Sequence, residues 1–284
     1  MGSLFRRISL LVLAGIFILF LTLFVQGIWT GLLVANLKTS PRVPWAIVAM
    51  AALLWLIWQY LNGKWWPRST AEARRRDLRA RTLSGQVFGW AVLAGLLSIV
   101  ALAGFWIVLF QLGKVRGHTL PDFSKYPLLT VILVLVMASL VGAIVEEAGF
   151  RGYFQSLLER DANGPAAILI AAVVLAPGHA LTQGFAWPIL LFYLIVDVML
   201  GVTARLTKSI LPGIIVHTIG LLTFFTLVWP NDAARRLNAG DGADMWFWIH
   251  CLQTIIFAAL AILAFKRLAK IRWRSGEFPI ANDA

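Results

Sequence analysis

Long apolar runs separated by short polar segments dominate this chain. Eight of them, at roughly 8–33, 43–62, 84–112, 127–158, 165–183, 187–204, 209–229 and 245–265, approach or exceed the length of about 20 residues that a helix needs to cross a bilayer. None shows the period-2 alternation of a transmembrane β-strand, and the runs are far too long for one. The pattern predicts an all-α polytopic membrane protein with about eight transmembrane helices. No internal repeat is evident, which weighs against a carrier built from repeated halves.

Composition agrees with that reading. The chain has 284 residues, 60% apolar and 13% charged, with mean hydropathy +0.82. Its net charge of +12 comes from short segments flanking apolar runs: Arg6 and Arg7, then Lys64 to Arg81, then Lys266 to Arg274. Such placement points to a membrane surface, with anionic lipid headgroups as partners and no nucleic acid. The positive-inside rule puts these segments, and with eight crossings both the N and C termini, on the cytoplasmic face. The 230–244 loop then lies outside. The run after Arg6-Arg7 is too long for a cleavable leader and is read as a retained anchor, in an inner or plasma membrane of a multi-pass kind. Cys251 is the single cysteine, so an intrachain disulfide is impossible.

Against this apolar background one hexapeptide stands out: Glu146-Glu147-Ala148-Gly149-Phe150-Arg151 follows a run, Leu128 to Val145, without any charge. Ionisable groups at membrane depth are costly, so a functional role is the default hypothesis for them. Glu147 and Arg151 stand i,i+4 and are expected to pair. Neighbouring helical residues point about 100° apart, so Glu146 and Glu147 are not expected to face one target. Glu146 is then free to look inward, on the side carrying Gly142, Gly149 and Phe150. Counted along their helices from the cytoplasmic turns, Glu146, His179 and His217 lie about 18, 21 and 12 Å deep. A single intramembrane cluster is therefore expected.

Two chemistries suit Glu, His and His. A carboxylate in an apolar pocket can take a proton from water, while one imidazole orients that water and another donates to a developing oxyanion. Alternatively, Glu146, His179 and His217 could hold zinc with an open position, although no HExxH spacing is present. The expectation is an enzyme without a cofactor, with zinc the minority alternative. A serine triad lacks a nucleophile elbow. A proton relay through Glu146, Asp197 and the histidines would instead suit a carrier.

The hexapeptide, followed by Gly152, resembles the EExxxR motif of the CAAX-protease and bacteriocin-processing (CPBP, or Abi) family of intramembrane glutamate proteases, typed by the prenyl-CAAX endopeptidase. Leu175-Ala176-Pro177-Gly178-His179 resembles its FxxxH motif, and His217 with the stretch before it resembles the lead-in to its HxxxN motif. The likeness covers about residues 125–225. It implies an endopeptidase acting on a membrane-tethered peptide or protein, with Glu146 as general base, His179 as its helper and His217 at the oxyanion. Glu147 and Arg151 would be the adjoining motif pair that sets the helix. Two positions depart: Leu175 stands for the Phe, and Leu221 for the Asn. Leucine donates no hydrogen bond, so a non-catalytic immunity or scaffold protein stays open as the alternative. The organisation expected is 1–124 as N-terminal helices with a basic loop, 125–230 as the catalytic core, and 231–284 as an outer loop, last helix and basic tail.

Three other polar features sit within apolar runs. Asp197, with Tyr193 four residues before it, needs a partner or a proton. His250 and Gln253 are read as polar residues near an outer helix end. Pro212-Gly213 predicts a bent or loosened helix start. His118 falls in a polar loop without an expected role.

Overall fold

The computed structural model describes residues 2–113, 123–228 and 243–274. Among these residues there is no strand, and long helices make up the molecule. The helices are α1 (Gly2–Thr39), α2 (Trp45–Leu61), the short α3 (Ala71–Leu78), α4 (Gly85–Gly113), α5 (Leu128–Glu146) and α6 (Gln155–Asp161). They continue with α7 (Gly164–Gln183), α8 (Trp187–Thr207), α9 (Leu211–Thr223) and α10 (Met245–Arg274). A π-helix, Glu147–Phe154, joins α5 to α6, so that Leu128–Asp161 forms one 34-residue rod. A second π segment, Phe224–Val228, extends α9. His118 and residues 230–242 of the expected outer loop lie outside the described residues.

Seven of these helical rods are long and apolar enough to cross a membrane, and the protein is a multi-pass membrane protein. The eighth expected crossing is α2, whose 17 residues rise only about 25 Å, less than the roughly 30 Å of a hydrocarbon core. It nevertheless completes the return of a hairpin. At its start the Ala46 N–H donates to Asn36 Oδ1 at 2.8 Å, tying it to the end of α1. At its finish the Leu61 carbonyl accepts from the Tyr153 hydroxyl at 3.3 Å, close to the other end of the bundle. Successive long helices alternate in direction. α1 runs antiparallel to the π segment, with Gly15 against Phe154 and Gln26 against Glu146.

One end of the bundle collects the basic segments. Arg79 Nη2 donates to Glu159 Oε2 at 2.8 Å, Arg160 pairs with Asp77, and Ser209 Oγ donates to the Arg81 carbonyl at 2.6 Å. Arg272 Nε donates to the Leu206 carbonyl at 3.1 Å. The end of α10 shares this end, as does the start of α1, where Gly15 packs on Phe154. At the same end the predicted turn before Pro165 begins α7, where the Asn163 side chain accepts from the Ala166 N–H at 3.0 Å. That is an N-cap with proline in the first turn. Further in, Trp106 of α4 meets Phe192, Tyr193 and Phe224 edge-on and forms one wall of a central cavity.

Candidate active site

Glu146 closes α5 at mid-depth, where the run of apolar side chains ends. Its Oε1 accepts a hydrogen bond from Gln26 Nε2 of α1 at 2.7 Å. Its Oε2 lies 3.6 Å from His217 Nε2 on α9 and 3.9 Å from His179 Nε2 on α7. Among the described residues no donor bonds Oε2 directly. Thus the three groups that depth counting placed together do meet, on three separate helices.

The adjacent Glu147 is fully buried, and its Oε1 contacts His217 Nδ1 at 3.2 Å and Arg151 Nη1 at 3.4 Å. This overturns one expectation. Glu146 and Glu147 do reach a common target, because the ring of His217 has a nitrogen on each edge and the two carboxylates straddle it. Side chains leaving the backbone about 100° apart can still converge around a planar ring lying between them. The expected Glu147–Arg151 pair is present. Pro212 and Gly213, read as a bent or loosened helix start, lie in the first turn of α9. A Cβ on Gly213 would collide with Glu147 Oε2, so only glycine lets α9 approach this closely. Gly142 does line the cavity with Glu146, whereas Gly149 faces away from it, toward Ile18 of α1.

Arg151 also answers the question of Asp197. Its Nη2 donates to Asp197 Oδ1 at 2.6 Å, and the two side chains are 3% and 2% exposed. The guanidinium therefore bridges Glu147 on its own helix and Asp197 on α8. Desolvated charges need partners, and the guanidinium supplies them through a hydrogen bond to Asp197 and an ion pair with Glu147. Glu146, Glu147 and Asp197 set three carboxylates against one guanidinium, with the imidazoles of His179 and His217 beside them.

His179 is held by stacking. Its ring lies 3.9 Å from that of Tyr193, at 10° between planes, and the Tyr193 hydroxyl accepts from Gln183 Nε2. Pro177, two residues earlier, lies inside α7 and removes an amide from its ladder. A cavity of about 280 Å³ opens beside these groups, with Glu146, His179, Asp197 and His217 along a wall otherwise mostly apolar. Leu221 lines it and packs over Gly142, while the Thr218 hydroxyl donates to its own helix at the Ile214 carbonyl, 2.7 Å away. His250 is buried and contacts Gln253 at 3.0 Å, while Gln253 Nε2 donates to the Val100 carbonyl of α4 at 2.8 Å, so this pair packs between helices.

Sequence reasoning missed Gln26. The signal was there: it is the one amide side chain between Ile8 and Ala35. As for metal, among the described residues no three His, Cys, Asp or Glu side chains are arranged to hold an ion.

Fold and site together define a polytopic helical membrane protein with a buried Glu–His–His centre flanked by a Glu–Arg–Asp bridge. Residues 128–221 match the family model described as type II CAAX prenyl endopeptidase Rce1-like. The match spans both glutamates, Arg151 and both histidines, and it agrees with the CPBP resemblance of the motifs. No curated protein and no solved structure matches the chain.

Proposed function

We propose that this protein is an intramembrane endopeptidase that hydrolyses a peptide bond of a membrane-tethered peptide or protein, with Glu146 as general base. The observation that carries the proposal is the single carboxylate oxygen, Glu146 Oε2, near the Nε2 atoms of two imidazoles at the wall of a cavity. A water molecule bonded to Oε2 gives up a proton to it while its oxygen attacks the scissile carbonyl. The new C–O bond pushes the carbonyl π pair onto oxygen, where the N–H of a protonated imidazole receives it. Glu147, accepting from His217 Nδ1, fixes that ring with Nε2 turned to the site. The proton on Glu146 then passes to the departing amine as the C–N bond breaks, leaving a carboxylate and an amine. His179, held flat against Tyr193, orients the water.

Residues 125–230 would form the catalytic core, and the end bearing the basic segments would face the cytoplasm and anionic headgroups of an inner or plasma membrane. The family likeness makes a prenylated CAAX-type peptide the first substrate to try. The test compares wild type with Glu146→Gln, both purified in full length, on a farnesylated peptide and on an unprenylated membrane-tethered one. Loss of a general base is expected to lower the rate roughly 10²–10⁴-fold with the fold intact. Equal cleavage by both proteins would remove the proposal. Leu221 favours a second reading, a non-catalytic immunity or scaffold protein, since it offers no oxyanion donor. Full biological activity in Glu146→Gln and His179→Ala would select that reading.

A further inference from the structure

We propose that Gln26 of α1 is a positioning residue for Glu146; the proposal rests on the protease reading above. The residue lies on a helix outside the 128–221 match, yet it makes the shortest contact of the Glu146 carboxylate, Nε2 to Oε1 at 2.7 Å. The other strong donor nearby is committed elsewhere, since the two Arg151 nitrogens engage Glu147 and Asp197. Rotation about a carboxylate's last torsion is broad and nearly two-fold, so an untethered carboxylate would present either oxygen in many directions. The Gln26 amide holds Oε1 and thereby aims Oε2 at both histidines.

α1 is seated for this task. Ile18 Cγ2 lies 3.1 Å from where a Cβ on Gly149 would stand, and Leu19 Cδ1 lies 2.6 Å from one on Gly178. Those glycines are three residues after Glu146 and immediately before His179. The first helix thus packs closely beside both residues at their small neighbours, and its next inward turns place Gln26 and Trp29 on the cavity. A neutral amide is also the donor that suits a cluster with surplus carboxylates: it gives a hydrogen bond without changing the charge balance.

The experiment uses full-length protein with the farnesylated and the unprenylated tethered peptides as probes, comparing wild type, Gln26→Leu and Gln26→Glu. Loss of the tether is expected to lower kcat roughly ten- to a hundredfold in Gln26→Leu, with KM within about twofold. Gln26→Glu keeps the shape but sets a second carboxylate against Glu146, and its loss is expected to be the larger one. A residue that merely fills space would give the reverse order, with Gln26→Glu near wild type, and that result overturns the proposal. A thermal-unfolding cycle of Gln26→Leu, Glu146→Leu and the double variant reads the contact without any activity. The double variant is expected to lose less than the sum of the singles, and strict additivity also overturns the proposal. If wild type cleaves neither probe, the protease reading fails and the kinetic role falls with it, while the cycle still decides the contact.

Discussion

His217 shows how little room a buried titratable ring has for error. Glu147 fixes one edge and Glu146 faces the other, at 3.2 and 3.6 Å. Arg151 then holds Glu147 in turn, so each charged side chain is oriented by the next. Removing the guanidinium leaves Asp197 without its charged partner and Glu147 with His217 alone. Arg151→Met is expected to destabilise the protein by about 3–5 kcal/mol, measured as a lower Tm in detergent. Adding Asp197→Asn is expected to restore part of that loss, because the stranded charge disappears. Leu221, where the resemblance implies Asn, belongs to this scale as well. It fills the space over Gly142 with hydrocarbon and brings no hydrogen-bond donor there.

At the scale of elements, the widened π turn starting at Glu147 and the glycine-led start of α9 do the positioning. π segments inside long helices often occur at functional sites, and here one carries Glu147 and Arg151. Gly213→Ala is expected to push Glu147 off His217 and cut cleavage at least about tenfold, with overpacking costing about 1–3 kcal/mol in thermal unfolding. Helix number, the Glu147–Arg151 pair and the common depth of Glu146, His179 and His217 were legible from apolar period, spacing and rise per residue. The straddled imidazole was not, since spacing along one helix says nothing about a ring inserted from another. Gln26 was hidden for a similar reason: a single amide in an apolar run gains meaning only from the helix it packs against. The partner of Asp197, on a different helix, required the tertiary arrangement too.

For the whole molecule, alternating helices put the start of α1, the α2–α4 connection and the end of α10 at one end, and the Thr39–Trp45 connection at the other. Single-cysteine variants in a Cys251→Ser background check this. Arg75→Cys is expected to react with an impermeant maleimide from the cytoplasmic side only, and Arg42→Cys from the opposite side only. Both positions are exposed, so reagent access is not limited by packing.

The brevity of α2 has a physical outcome for the surrounding lipid. Its 17 residues leave it a few ångströms short of an average acyl layer, and Met50 in its middle borders the cavity. Lipids beside such a helix compress to match it, at fractions of a kcal/mol per ångström. Water and a polar peptide backbone would then travel less far to reach the buried carboxylate. Vesicles of short-chain lipid are accordingly expected to support faster turnover than long-chain ones, with proteoliposome assays across a chain-length series as the check. In that sense the dent in the bilayer would belong to the proposed site as much as its side chains do.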